Sequence, residues 1–405
     1  MQDALVVLGG NISQRTLIVQ ARARGTTVCV VDANPAKLGL ALADVPVVQD
    51  FSATAEVVER LARVGVRPVG VASMGADAAV LPVARLAAAL GLPGLPLDVA
   101  RAATDKGVMR AAFETAGVPC PRSAEVDGAE AARAAYRALG PSVAVKPADG
   151  SAQRGVTAVH AASDLDVALV RARAASRSGR LIVERYVDGP EFTVNGFVVG
   201  GAYRAVTLTR RVLHDPPPLG VCLAHRYPAA VTDADARALV DTARAATLAL
   251  GIDDAPSYAQ LRLGPEGPVV IEVGARLGGG KDAELARLVT GVDTVGAVID
   301  AALGRLTEAS LRPGARSAAC GQVHFVVRPP GVVRRLDAGR AAALPGVVEA
   351  DWYRSPGQVL GPLVSGADRL GYLIVTAPDL DALDRRTAAA EAALEIDIAP
   401  PEAPA

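Results

Sequence analysis

The stretch VVIEVGARLGGG, residues 269–280, ends an apolar run on Glu272 and then places Arg276 and four glycines in the turn behind it. A buried strand loses stability from an unpaired charge, so this carboxylate must face something. The residues before it, YAQLRLGPEGPVVIEV, set two apolar runs either side of GPEG, the pattern of a β-hairpin. Gln260 and Glu272 are twelve apart, which turns both side chains to one face of that hairpin. An amide oxygen beside a carboxylate suits Mg2+, which keeps few protein ligands next to phosphate oxygens; the same pair also fits the polar face of a half-buried sheet. Downstream, LGGGKDAELARLV runs from glycines into a helix, whose free N–H groups and dipole suit an anion. A metal and a guanidinium beside an anion-binding turn are equipment for phosphoryl or acyl-phosphate chemistry. Lys281 reads as a solvated residue at the helix entrance.

Only four of the 42 basic residues are lysines: Lys37, Lys106, Lys146 and Lys281. In so arginine-rich a chain, a lysine hints at a task for a compact ammonium. Lys106 lies early in a helix (ATDKGVMRAAFETAGVPCP), and Lys146 sits on the strand VAVKPADG just before a short polar loop, DGSAQRG. Two ammoniums and a closable loop are what a nucleoside triphosphate requires. The segment LIVERYVDGPEFTV adds Glu184 at a strand end and Glu191 seven residues on, where a strand leaving into a turn can meet a purine and a carboxylate can accept from ribose; edge-strand polarity explains them as well.

These residues need elements to hold them. Residues 4–95 alternate three strands (ALVVLGG, TTVCVVDANP, VGVASMG) with helices at 13–24, 54–64 and 76–90, which implies βαβ units and a parallel sheet. Its glycine pattern, GGNISQ, lacks G-x-G-x-x-G, which argues against NAD or FAD despite Asp32. The loops Gly9–Asn11 and Ser73–Asp77 lie where such sheets bind ligands and form a plausible substrate edge. GLPGLPLD marks a boundary. Helices mixed with antiparallel strands follow to about residue 305, and a segment of about 90 residues closes the chain before the tail APPEAPA.

Composition excludes other classes. A net charge of −1 with dispersed basic residues offers no nucleic-acid groove or membrane surface. No stretch approaches the ~20 apolar residues of a membrane span, and the first residues lack a signal peptide's basic region. Cys29, Cys120, Cys222 and Cys320 match no zinc or redox spacing and read as buried free thiols in a reducing cytoplasm.

In the order DK…AGVPCP, VAVKPADGSAQRG, LIVERYVDGPEF, AQLRL…VVIEVGARLGGG, the chain resembles the ATP-grasp superfamily, in its carboxylate–amine ligase branch of amino-acid ligase type, over residues 1 to about 395. The resemblance implies mixed α/β and α+β architecture: a doubly wound pre-ATP-grasp domain (1–97), an ATP-grasp domain (98–305, lid subdomain about 115–185), a small C-terminal α+β domain (306–395) and a disordered tail (396–405). It implies ATP and Mg2+ as cofactors, with Mn2+ able to substitute. Lys106 and Lys146 would bind phosphates. Gly150–Gly155, with Ser151 and Gly155, would form the lid. Glu184, Tyr186 and Val187 would form the adenine hinge, and Glu191 would take ribose. Gln260 and Glu272 would hold the metal, and Arg276 the transferred phosphate. Where the family carries a third metal ligand, an asparagine, this chain has Gly274.

The implied reaction is amide formation through an acyl phosphate, releasing ADP, with Lys146 and Arg276 as catalytic residues. Small-molecule carboxylate and amine substrates, an amino acid or specialised metabolite among them, would be the partners, and family grounds suggest a homodimer. Arg276, Gly279, Gly280 and His225 are the candidate substrate contacts; for His225, packing is the favoured reading. Two rivals stand: a purine-pathway or carboxylase-type enzyme using bicarbonate or formate, and a non-catalytic ATP-binding protein.

Overall fold

The computed structural model describes residues 1–150, 153–214 and 220–400. Its first sheet is parallel, in the order β3-β2-β1-β4: β1 Gln2–Leu8, β2 Val28–Asp32, β3 Val45–Val48 and β4 Val66–Ala72. Ala4 to Leu8 are fully buried because helices cover both faces. β3 is an addition to the three strands read from the sequence. It is short, carries Pro46 and lies at the sheet edge, where a missing N–H is tolerated. Strand order reverses beside β1, so the crevice of this sheet opens at the carboxyl ends of β1 and β4, where Ser73–Asp77 lead into the Asp77–Leu90 helix.

A second sheet has the order β5-β8-β6-β7: β5 Ser123–Val126, β6 Val143–Pro147, β7 Thr157–Val159 and β8 Leu181–Arg185. Its β6–β7 hairpin carries the loop after Lys146. The third sheet has eight antiparallel strands, β13-β12-β9-β10-β11-β14-β18-β16. These are β9 Glu191–Val199, β10 Ala202–Leu213, β11 Cys222–Tyr227, β12 Ala255–Gly264, β13 Gly267–Gly274, β14 Cys320–Val326, β16 Val347–Trp352 and β18 Gly371–Ala377. It runs straight across the boundary expected near residue 305, with Ala224 of β11 opposite His324 of β14. The closing segment therefore shares a sheet with the centre of the chain. It adds one small sheet, β17-β15-β19 (β15 Gly331–Asp337, β17 Val359–Leu360, β19 Glu395–Ala399).

β19 corrects the tail expected from residue 396. Ile396 and Ile398 stand opposite Leu336 and Val333, where they join an apolar cluster, and that burial orders the strand. Residues 401–405 lie outside the described residues. Among the described residues no helix is long and apolar enough to cross a membrane.

Side-chain alternation in the large sheet decides where the site lies. In EFTVNG, Phe192 and Val194 point into a core with Leu239, Ala243 and Ala246 of the Asp233–Ala249 helix. Glu191, Thr193 and Asn195 point the other way. In register with them stand Arg262, Gln260 and Tyr258 of β12 on one side and Arg211, Thr209 and Thr207 of β10 on the other. Period-two alternation thus lays a buried polar floor beneath the second sheet.

Candidate functional site

A cleft of about 740 Å3, counting its open mouth, lies between the second sheet and this polar floor. That is the size of a ligand pocket for a nucleotide. Lys146 and Glu184 enter from the second sheet, Lys106 from the first turn of the Lys106–Thr115 helix, and Gln260, Glu272 and Glu191 from the floor. The sequence-expected residues Tyr186 and Val187 line it as well.

Gln260 and Glu272 are directly opposed in the β12–β13 ladder, as the hairpin reading required. Gln260 Nε2 donates to Glu191 Oε1 at 2.5 Å, which turns its amide oxygen away from that carboxylate. Glu272 keeps 31% of its side chain exposed and has Lys106 Nζ 3.4 Å from Oε2. Burial alone would raise the Glu272 carboxyl, but Lys106 first, then Lys146, Arg276 and Arg211, outweigh it and hold the carboxyl well below the usual range. Glu272 is thus an anion at all working pH. One neutral and one anionic oxygen, side by side and aimed at a cleft, fit Mg2+. Among the described residues no group of three or more His, Cys, Asp or Glu could hold a metal, so phosphate oxygens and water would complete the ion's shell.

Lys146 is buried against Glu184, which a third buried charge, Arg110, also reaches at 2.9 Å. Burial pushes the Lys146 ammonium down to about 8; Glu184 opposes the shift, while Arg110 and Lys106 add to it. Arg110 also donates to the carbonyl of Ile271 at 2.6 Å, so one guanidinium ties the Lys106 helix, the end of β8 and the residue before Glu272 together. Sequence reading passed over Arg110, although it stands four residues after Lys106 on the same helix face.

Glu191 is more engaged than a ribose ligand should be. Gln260, Arg211 (3.1 Å) and Arg262 (3.2 Å) all hold its carboxylate, and 3% of the residue is exposed. Arg262 also donates to Tyr186 Oη and to the Val187 carbonyl, at 2.9 and 2.8 Å. The signal for Arg211 and Arg262 lay in the alternation of VTLTRR and YAQLRL. Ser151 lies outside the described residues. Gly155 does not line the cleft: a Cβ there would come within 2.7 Å of Ala175, so this glycine serves packing. Its neighbours Gly150, Gln153 and Arg154 are at the cleft, and Lys106 Nζ donates to the Gly150 carbonyl at 2.9 Å.

Arg276 stands outside this cleft. Its Nε and Nη2 donate to Asp77 Oδ1 and Oδ2 at 2.8 and 2.9 Å, and its guanidinium lies over Tyr258, 4.7 Å from the ring centroid. Asp77 opens the helix after the first sheet, so this ion pair joins two sheets. It also fills the place of the expected asparagine. A Cβ on Gly274 would lie 3.1 Å from Asp77 Oδ1 and 3.3 Å from Arg276 Nε. The glycines behind Arg276 are required by close approach: a Cβ on Gly278 would meet the Tyr258 ring at 2.6 Å, and one on Gly280 would meet Phe325 at 2.7 Å. Gly279 rests on the carbonyl of Gly75.

One expectation is corrected, and His225 takes the packing place that is its favoured reading. Lys281 is not solvated: it is buried, 3.3 Å from both Glu284 and Glu349, with its ammonium 5.0 Å from the Tyr372 ring centroid. His225 does not line the cleft; it is 3% exposed, edge-on to Phe325 at 5.9 Å, with Nδ1 3.4 Å from Asp282 Oδ1. Burial, with Arg211 and Arg369, holds His225 neutral. Strand alternation turns it onto the polar face, but the Asp282–Thr290 helix covers it there.

Comparison with known proteins bears on this geometry. The profile of the ATP-grasp domain matches residues 140–284, and that of the L-amino acid ligase C-terminal domain 2 matches residues 324–399. An uncharacterised protein of Sinorhizobium fredii is 29% identical over 78% of this chain and 66% of its own length. The alanine–anticapsin ligase of Bacillus subtilis is 26% identical over 60% of this chain and 56% of its own length. The matched region thus spans less than two thirds of these curated relatives. The L-amino acid ligase structure from Bacillus licheniformis superposes over 98% of this chain and 99% of its own, with TM-score 0.83 at 21% identity, which shows a shared fold. Purine-pathway synthetases share that fold too.

Proposed function

We propose that this chain, an ATP-grasp protein with an amino-acid-ligase-type C-terminal region, is an ADP-forming ligase joining a small carboxylic acid to an amine through an acyl phosphate. The observation that carries the reading is the opposed Gln260–Glu272 pair with Lys106 and Lys146 at one cleft. Two ammoniums compensate the phosphates and two oxygens await one cation. Bound there, Mg2+ supplies charge neutralisation at the phosphates.

A carboxylate oxygen of the acid attacks the γ-phosphorus, the bond to the bridging oxygen breaks, and ADP leaves. The amine nitrogen then attacks the acyl carbon, its proton is lost, and the C–O bond to phosphate breaks. No nucleophilic side chain is needed. Lys106 and Lys146 neutralise charge as it moves along the phosphates, and Arg276, two residues past Gly274, is the candidate contact for the incoming acid. Gly150, Gln153 and Arg154, at the mouth of the cleft, help keep water from the acyl phosphate. The setting is the cytoplasm, where ATP is supplied and four free cysteines persist.

The match of residues 324–399 to an amino-acid-ligase domain favours this reading over a bicarbonate- or formate-using enzyme. An ADP-release screen over acid and amine pairs, with mass detection of the product, is the test. Amide formation with ADP supports the proposal; ADP release requiring only bicarbonate defeats it. Tight ATP binding with no turnover across the panel supports a non-catalytic nucleotide-binding protein instead.

A further inference from the structure

Glu191 opens β9 and has an arginine directly opposite it on each neighbouring strand, Arg262 on β12 and Arg211 on β10. Arg262 Nε stands 3.2 Å from Glu191 Oε2, and Arg211 Nε 3.1 Å from Oε1. Gln260 is diagonal to Glu191, two residues from Arg262 on the same face of β12, and donates from Nε2 to Oε1. These side chains form one buried row across three strands, each residue less than a tenth exposed.

We propose that Glu191 is a positioning residue for the metal site: it turns the Gln260 amide so that its oxygen faces the cation, and its own carboxylate is not a ribose contact. The assignment rests on the nucleotide-cleft part of the ligase reading and is independent of which acid and amine are joined.

Three observations carry it. First, an amide has a donor end and an acceptor end, whereas a carboxylate only accepts. Gln260 therefore gives its N–H to Glu191, which leaves its oxygen for the cleft that Gln260 lines. With Glu191 neutralised, the guanidinium donors beside it would compete for that oxygen and draw it back into the floor. Second, the Glu191 carboxylate is engaged. Oε1 faces Gln260 and Arg211, Oε2 faces Arg262, and 3% of the side chain is exposed. Two adjacent ribose hydroxyls need two reachable acceptors, and of a carboxylate's roughly four lone-pair sites three are already met. Third, the charges account for a glutamine at 260. A carboxylate there would stand against Glu191 at hydrogen-bond distance with no proton between them. An amide supplies a neutral oxygen to the metal and an N–H to Glu191 at once, with Glu272 opposite as the anionic ligand.

The row also couples two ends of the cleft. Arg262, which holds Glu191, bonds Tyr186 Oη and the Val187 carbonyl as well, so the metal ligand and the expected adenine hinge share one anchor. A cation arriving at Gln260 and Glu272 meets an oxygen already aimed at it, and no side-chain ordering is left to oppose binding.

The test measures binding alone, on the full-length protein, by calorimetry with ADP in the presence and absence of Mn2+. The ratio of the two affinities reports the metal contacts, and wild type should bind ADP more tightly with Mn2+. Glu191→Gln should lower that ratio by roughly tenfold, the value of one hydrogen bond to a charged group, with affinity for metal-free ADP within about threefold. The exchange of Glu191→Gln together with Gln260→Glu puts the donor at 191 and the acceptor at 260. It should restore the ratio to the wild-type value or above, and should exceed Gln260→Glu alone by roughly tenfold. The preference for ADP over 2′-deoxy-ADP should be the same in wild type and Glu191→Gln. A wild-type ratio of one, a ratio that Glu191→Gln leaves unchanged, an exchange no better than Gln260→Glu alone, or a ribose preference lost with Glu191 overturns the proposal. The exchange keeps the net charge of the buried row and decides the matter should Glu191→Gln fail to fold. The expected binding pattern with no acid turned over sinks the ligase reading and keeps this assignment. No ADP binding to wild type sinks the cleft reading and this assignment with it.

Discussion

The large cleft and the smaller recess beside the Asp77–Leu90 helix lie near one another at the end of β13, with Glu272 lining the first and Ala275 and Arg276 the second, yet one is lined by charge and the other chiefly by aliphatic side chains. The cleft takes its groups from strands whose register is fixed by a ladder: Gln260 opposite Glu272, Arg262 opposite Glu191, Lys146 opposite Ile182. The recess takes its groups from segments about 200 positions apart, brought together by a single ion pair. On the proposed reading, the groups that would meet phosphate are fixed by backbone pairing within the second and third sheets. The partner of Arg276 depends instead on how the first sheet docks.

Substitutions that remove cleft charges should have the largest effect. Glu272→Gln, or Lys146→Ala, should lower ADP release by ~10³-fold or more while the thermal unfolding midpoint stays within a few degrees. Near-normal turnover in either would detach the cleft from the chemistry. Arg110→Met comes next. It leaves Glu184 and Lys146 buried with a third charge gone, which should cost about 3 kcal/mol of stability and raise KM for ATP more than KM for the acid. Denaturant unfolding together with the two KM values reads this. Gly274→Asn then separates the two regions directly. Restoring the expected asparagine drives a side chain into Asp77 and Arg276, so KM for the acid should rise by roughly tenfold while KM for ATP changes little. Improved metal affinity without a change in acid KM would show that the ion pair is not part of acid recognition. The smallest effect is set by pH. Lys146, pushed down to about 8, is a cation below that pH and neutral above it, so ATP affinity should weaken by a few-fold from pH 7 to 9. Lys146→Arg, which stays charged, should flatten that slope in an equilibrium titration.

The same contrast sorts what the sequence disclosed. The Gln260–Glu272 pair, Lys106, Lys146 and the parallel first sheet follow from periodicity, turn chemistry and the scarcity of lysine, all of which act over a few residues. Arg211 and Arg262 were within reach of the same alternation rule, because they continue the polar rows of β10 and β12. Asp77's pairing with Arg276 was not, since nothing local ties the helix after the first sheet to the end of β13. His225 and Lys281 show the converse limit. A polar residue in a promising motif can be consumed by tertiary burial that no short window reveals, as Asp282 consumes one and Glu349 the other.

The large sheet's passage across residue 305 bears on any attempt to exchange parts between this chain and its relatives. β11 has β10 on one side and β14 on the other. A cut between residues 305 and 319 would strip β11 of its second neighbour and leave the backbone of residues 222–227 as an open edge, a template for pairing with other chains. The closing segment is therefore better treated as half of a sheet than as a detachable module. Grafts that respect the fold should carry β11, β14, β18 and β16 together.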